Sequence, residues 1–476
     1  MANQIATLPS FTSVRMDLSE GLMKPDMSPD ACNMDTRSGA LCTCTGFSRV
    51  LPVLNFAEEP FERMYVYATE HGNRYIAVAQ DVMYYYNEPT RAWRQLYQFE
   101  HDVTGERMDF LKVRIGTDDR LLIACGSEPM LKYDVETDYV EVFGSSEKLS
   151  DKSVSYVELY FGRLFAAGDP NAPARLYWSK APGGGRTIDD WRSDEASENV
   201  SGGFVDVGVD DDPITGLFAL SNQLLIFKRD SLYRLLGDRP GNYRIISVDA
   251  SFRQPLHTGC VRYADRLFFL SSGGLFFYDG QTVRKSAAFA ALEPLLRNAN
   301  LSGVRAAACG DTLYFAIRAR YGAPYNDTVI EYDVLRDRFM LRSGFTAVDF
   351  CTVHGSLYLL TGSGKLVVFD NNTTYDGDPI QARWSTPALD FGRKDTVKTL
   401  LRLTATGEGR IGVRAVSDGG TYETRIRLSS VPLGVTEIPL RGVGRVFRLT
   451  FSSVGGEPFT LDAPVTLLFD QQKRPC

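Results

Sequence analysis

Bulky apolar residues recur along the chain in short runs behind a turn residue, and the runs return at a nearly constant interval. The phrase reads Asn73-Arg74-Tyr75-Ile76, Asp119-Arg120-Leu121-Leu122, Gly162-Arg163-Leu164-Phe165 and Asn222-Gln223-Leu224-Leu225. It continues as Asp265-Arg266-Leu267-Phe268, Asp311-Thr312-Leu313-Tyr314 and Gly355-Ser356-Leu357-Tyr358. Counted between the Tyr or Leu positions, the steps are 46, 43, 60, 43, 46 and 44 residues, against about 40–50 for propeller blades. A second apolar phrase follows each copy: Met130–Asp134, Leu275–Asp279, Ile330–Asp333 and Leu366–Asp370 are its clearest forms. Val82–Tyr85, Ala174–Tyr177 and Ser231–Arg234 are weaker ones. A third strand tends to carry an aromatic residue, as at Trp93, Tyr139, Tyr243 and Phe339. Strand, turn, strand, Asp turn, strand is the inner part of a propeller blade. The predicted fold is therefore all-β: a β-propeller of about seven blades, bracketed by six and eight, over residues 51–381. A pair of β-sandwiches is the competing reading, but sandwiches give turns every 8–12 residues and no period near 44.

The two ends leave this rhythm. Residues 1–50 hold Pro, Asp, Asn, Ser and Gly in a stretch too polar to fold alone, which predicts an extended arm. The arm would wrap its own propeller or reach a neighbouring subunit, and Gly46–Leu51 could close the last blade. From residue 382 to 476 the pattern becomes plain alternation, as in Glu423-Thr424-Arg425-Ile426-Arg427-Leu428 and Val446-Phe447-Arg448-Leu449-Thr450-Phe451. Alternation of this kind predicts half-exposed antiparallel strands and a C-terminal β-sandwich. Inside the propeller, the long step contains an insertion from Trp178 to Gly203 with three consecutive glycines, Gly183–Gly185. It reads as a flexible surface loop, placed where loops often meet partners. Ser286–Leu296 reads as a helix connecting two blades.

Composition supports the strand reading, with 28 Phe and 23 Tyr beside 42 Gly and 22 Pro. The net charge of −7 argues against a protein that grips nucleic acid, because such affinity is built from clustered Lys and Arg. An acidic wall would let nucleic acid slide past. No apolar run is long enough to span a membrane, and Met1–Ile5 lacks the basic start of a secretory leader. The eight cysteines, Cys32, Cys42, Cys44, Cys125, Cys260, Cys309, Cys351 and Cys476, are scattered, several of them in apolar runs. They are expected as free thiols in a reducing compartment.

Sequence assigns no catalytic, cofactor-binding or metal-ligating residue, and predicts a protein that is not an enzyme. The four histidines, His71, His101, His257 and His354, are isolated, and no hydrolase, zinc-protease or nucleotide-binding motif occurs. Cys42 and Cys44, with Cys32 and His71, offer a metal set, but one Cys-x-Cys without a second pair favours partly buried thiols. Asp206, Asp210, Asp211 and Asp212 surround Gly208 without the ligand alternation of a calcium loop. Ser417–Tyr422 has a faint Asp-box character and fits a hairpin turn better. Acidic pairs for glycoside hydrolysis are identified only by geometry.

Three passages carry a family resemblance. They are the arm (Glu20-Gly21-Leu22 … Ala31-Cys32-Asn33-Met34-Asp35 … Gly46-Phe47), the stretch Arg175-Leu176-Tyr177-Trp178-Ser179 … Asp190-Trp191, and Arg383-Trp384-Ser385-Thr386-Pro387 … Asp390-Phe391-Gly392. In these the chain resembles the propeller-bearing tail and neck proteins of tailed bacteriophages: nozzle, tail-tube-associated or DNA-stabilisation proteins below the portal. The resemblance implies a structural virion protein, made in the bacterial host cytoplasm and located in the tail. It further implies a homo-oligomeric ring, with six copies as the first expectation. Portal or adaptor and other tail proteins would be its partners, with transient contact to double-stranded DNA retained in or ejected through the ring, and no cofactor. The alternative is a bacterial propeller that serves interaction or carbohydrate binding.

Overall fold

The computed structural model describes residues 3–52, 61–103, 108–143, 149, 152–248, 257–271, 273–429, 431 and 434–471. The chain is all-β; among the described residues there is one short helix, Glu293–Asn298, preceded by a 3-10 turn at Ala288–Leu292. The segment lies between two sheets, as predicted, but the helix expected over Ser286–Leu296 is a 3-10 turn through Leu292, and Pro294 opens the α-helix rather than ending it.

Five antiparallel sheets of four strands follow one another along the chain. The first is Arg63–Thr69, Gly72–Ala79, Val82–Asn87 and Ala92–Gln98; the second is Asp109–Ile115, Asp118–Ala124, Leu131–Asp134 and Tyr139–Val142. The third is Tyr156–Tyr160, Arg163–Ala167, Arg175–Trp178 and Gly203–Asp206. The fourth is Ile214–Leu220, Gln223–Lys228, Leu232–Leu236 and Arg244–Val248; the fifth is Cys260–Tyr263, Arg266–Ser271, Gly274–Tyr278 and Val283–Lys285. A nine-stranded sheet comes next, and its two halves share the long strand Arg338–Val353. The front of that strand pairs with Asn326–Asp333 and the back with Ser356–Thr361. The recurring Leu or Tyr phrase always lies on the second strand of its unit. Those strands read as unbroken apolar runs because neighbours cover both faces. All five residues of Arg163–Ala167 and all six of Gln223–Lys228 are buried.

Each sheet packs face to face on the next through its own apolar cluster. Ile76, Val78 and Met83 of the first sheet meet Leu121, Ile123 and Leu131 of the second. Tyr358, Leu360 and Leu366 of the nine-stranded sheet meet Met64, Val66 and Ala77 of the first, so the series returns to its start. This sheet layout is that of a β-propeller.

Closure uses the beginning of the chain. Phe47–Arg49 pairs antiparallel with Leu366–Phe369 as the fourth strand of the nine-stranded sheet's second half, with Thr374–Tyr375 beyond it. Phe47 stacks on Tyr375 with ring centroids 4.9 Å apart. Gly46 admits no side chain, since an added Cβ would lie 1.8 Å from the Thr374 carbonyl oxygen. Earlier arm residues join two further sheets. Asn3–Leu8 pairs with Val465–Gln471, Ala31–Cys32 with Arg383–Ser385, and Leu41–Thr43 with Phe459–Leu461. Those two sheets pack over a core that includes Leu403, Ile411, Val413, Leu449 and Phe451, continuous with the fifth and nine-stranded sheets.

Buried polar groups fasten the arm. Asn33, at φ 57°, occupies the left-handed region that Asn tolerates. Its side chain donates to the Ser343 and Gln381 carbonyls at 2.9 Å each. Arg342 donates to the Thr45 carbonyl, and its Nε lies 2.5 Å from the buried Glu331 carboxylate. Removing one partner of a buried ion pair typically costs about 3–5 kcal/mol, because a charge stays buried alone. Arg342→Met is therefore expected to lower stability by about that much in urea unfolding. The double variant Arg342→Met/Glu331→Gln should recover part of the loss. Single and double variants unfolding at the wild-type midpoint would refute the clamp.

Candidate functional site

The innermost strands of all these units converge on one axial cavity of about 430 Å³. Its wall carries Arg63, Asp109, Glu158, His257, Arg262 and Asp349 among apolar side chains. An innermost strand has one edge without a strand partner, and its amides need acceptors near the axis. The carboxylates fill that need across sheet boundaries. Asp349 accepts from the Met64 amide at 3.0 Å, Asp109 from the Val157 amide at 3.1 Å, and Glu158 from the Ala219 amide at 3.2 Å. Cations complete the set: Arg63 Nε lies 3.0 Å from Asp349, and Arg262 Nη1 lies 3.1 Å from Glu158. Arg262 also donates to the Ala219 carbonyl at 3.1 Å. His257 stacks on Phe218 at 4.7 Å, with its Nε2 3.9 Å from Asp109.

Burial pushes the Asp109 carboxyl up to about 6, against the pull of the Val157 amide and of Arg63 and Arg262. Burial raises Glu158 too, opposed first by Arg262. Chemically, the arrangement holds backbone and balances charge, because each axial carboxylate already accepts an amide hydrogen from the neighbouring sheet.

The residues weighed in the sequence fall elsewhere, and the structure does not gather them. Cys32 contacts the Ser343 hydroxyl at 2.9 Å, Cys44 contacts the Tyr375 hydroxyl at 3.4 Å, and Cys42 is partly exposed near Ser38. His71 sits in an exposed hairpin turn of the first sheet. Among the described residues no group of three His, Cys, Asp or Glu side chains could hold a metal, and the seven cysteines there are free thiols. Cys476 lies outside the described residues. The acidic turn around Gly208 is built on an internal cation: the buried Lys228 ammonium donates to the Val207 and Val209 carbonyls. Asp206 is held by Arg175 at 2.7 Å, and Asp212 accepts from the Asp230 amide at 2.9 Å. Ser417 and Asp418 organise a hairpin, in which Asp418 accepts from the Arg445 amide at 2.7 Å.

The insertion differs from the flexible loop its glycines suggest. Lys180 is buried among Asp190, Asp194 and Glu195 at 3.0, 2.5 and 3.1 Å. Arg163 donates to the Ser179, Ser201 and Asn199 carbonyls, and Trp191 packs into the cluster between the second and third sheets. The two buried cations draw on the loop's oxygens, while the glycine tip and residues such as Ser193, Ala196, Ser197 and Glu198 stay exposed. The axial charges were missed in the sequence. Their one signal is a charged residue inside the apolar strand preceding the recurring phrase, as in Val157-Glu158-Leu159.

No protein-family model matches the chain, and no curated protein matches it by sequence. Among solved structures it is similar to the computationally designed Ika8 protein, at TM-score 0.41 and 8% identity over 68% of this chain and 99% of that one. It is also similar to BamB from Moraxella catarrhalis, at TM-score 0.40 and 11% identity over 77% of this chain and 98% of that one. Both scores lie below 0.5, so the fold assignment rests on this chain's own sheets.

An acid held above its ordinary value costs stability once it ionises in the folded chain. For Asp109 that cost is absent below pH about 4, where both states carry the proton, and complete above pH about 7. Asp109→Asn should therefore stabilise the protein at pH 7.5 by up to about 3 kcal/mol, and by little at pH 4. Thermal unfolding across that range tests this, and a difference independent of pH would count against it.

Proposed function

We propose that the chain is a non-enzymatic structural component of a phage virion tail or neck, a nozzle or stabilisation ring below the portal. In this reading it is a seven-bladed propeller with an N-terminal arm and a C-terminal β-sandwich. Copies of the chain join side by side into a ring through which genomic DNA passes and in which it is retained.

The observation that carries the reading is a sector of apolar residues on the outer rim. The outermost strands of three consecutive sheets expose Tyr139 (64%) and Val142, Phe204 (55%), and Ile246. Among the described residues, each of these strands has one edge without a strand partner. An exposed edge with large apolar side chains is a template for pairing with another chain unless it is covered. The outermost strands of the first and fifth sheets, Ala92–Gln98 and Val283–Lys285, contribute no exposed large apolar residue. A ring subunit meets one neighbour through each of two different flanks, and this apolar sector suits one of those two faces. The net charge of −7 is compatible with DNA passing without tight binding.

A second reading draws on one cavity. About 650 Å³ beside the insertion is lined by Tyr177, Trp178, Trp191 and Phe204, with both indole N–H groups lacking a hydrogen-bond partner. A cluster of aromatic faces suits a sugar ring, the carbohydrate-binding alternative.

Native mass spectrometry of the purified chain should find closed rings, and Tyr139→Arg/Phe204→Arg should give monomers with an unchanged circular dichroism spectrum. Immunogold labelling of a bacterial lysate should place the chain on the tails of phage particles. A monomer that binds oligosaccharide, with label absent from particles, would overturn the virion reading in favour of the second.

A further inference from the structure

Beside the axial staples lies a separate cavity of about 420 Å³, bounded by Arg63, the start of the Asn300–Cys309 strand, the end of Thr312–Arg318, and residues 324–326 and 347–348. Three guanidinium groups face it: Arg63, Arg305 and Arg318. Their nearby countercharges are Asp349 and Glu62, so cations are in excess. Among the described residues, Arg63 uses its Nε on Asp349 while its Nη1 is buried without a hydrogen-bond partner. Arg305 Nε stands 3.5 Å from Asp349, and neither it nor Arg318 Nε makes a hydrogen bond to any of the described residues. Burial, and then repulsion from Arg63 and Arg318, push Arg305 down to about 10.

Two further features shape the pocket. The Arg318 guanidinium lies against Gly303, where an added Cβ would come within 2.8 Å of Nη2, so only glycine allows this approach. Asn326 is 4% exposed and donates through Nδ2 to the Gly303 carbonyl at 2.8 Å, which fixes which way its amide points. Its Oδ1 is a buried acceptor with no donor among the described residues. Unmet buried donors and acceptors are costly unless something satisfies them.

We propose that this pocket is a binding site for a protonated oxyanion of the phosphate class, with arginine forks on its oxygens and Asn326 Oδ1 accepting from its P–OH group. Arginine presents planar paired donors that match tetrahedral oxyanions. The lone acceptor adds a selection rule. Hydrogen phosphate has an O–H to offer and sulfate at neutral pH has none, so sulfate would leave Asn326 unsatisfied. The inference is independent of ring assembly, since the pocket lies inside one chain.

Isothermal titration of the full chain at pH 7, with inorganic phosphate or sulfate at matched ionic strength, tests it. Phosphate should bind saturably at one site, at least tenfold more tightly than sulfate, and Arg318→Gln should weaken phosphate by tenfold or more. If Arg318→Gln does not fold, Arg318→Lys keeps the charge, loses the fork and should show the same direction. Absence of phosphate binding, equal affinity for sulfate, or affinity unchanged in a folded Arg318 variant would overturn the site.

Discussion

Everything in this molecule depends on satisfying the inner edges of sheets that meet at an axis. A strand edge on a protein surface can be left to water, but amides crowded into a cavity of about 430 Å³ need acceptors from the protein. The chain answers with charged side chains that reach across sheet boundaries rather than within a sheet. Asp349 serves the first sheet, Asp109 the third and Glu158 the fourth. Each staple costs desolvation of a carboxylate, visible in the raised Asp109 and Glu158, and arginines offset part of that cost. Linking neighbours this way makes the sheets interdependent, since withdrawing one leaves a buried charge and an orphan amide on its neighbour.

The same logic explains why the chain ends are woven together. A series of face-packed sheets has two terminal faces, and packing the last unit on the first covers both. The last unit is finished by Phe47–Arg49, so the circle is completed by residues over 300 positions from their strand partner. Asn33 and Arg342 then pin the preceding arm through buried hydrogen bonds, and the arm's first strand pairs with Val465–Gln471 near the other end. Strands this distant in sequence pair only after loop-closure entropy has been met, which favours late, cooperative closure.

What was legible in the sequence follows from what is local. The recurring Leu phrase reports burial on both faces of a second strand, and its period survives because every unit repeats that environment. The hairpin turns after Asp and Gly were readable for the same reason. The arm's partners were not, because Asn3–Leu8 carries no mark of the strand it joins. Nor did composition show that the glycine-bearing insertion is anchored. Lys180 and Arg163 look like surface residues until the loop's carbonyls and carboxylates close over them. The axial acids were hidden similarly: a lone Glu158 in a strand reads as an exposed position, and only the circular arrangement turns it inward.

A common device unites these hidden positions. Buried cations here are repeatedly surrounded by loop carbonyls: Arg163 by Ser179, Asn199 and Ser201, Lys228 by Val207 and Val209, and Lys398 by Arg393, Thr396 and Arg445. Burial lowers the proton affinity of Lys228 and Lys398, yet the ring of oxygens needs a positive centre to converge. An ammonium tethered on a strand supplies that centre at a fixed position, and it orders the loop as a bound metal ion orders a calcium loop. The acidic turn around Gly208, whose sequence lacks the ligand alternation of a calcium loop, follows this logic: the cation at its centre is Lys228 itself. Such loops depend on the register of the strand that carries the lysine. Their shape is therefore set by sheet formation, and the rigid propeller reaches into segments whose composition alone would leave them loose.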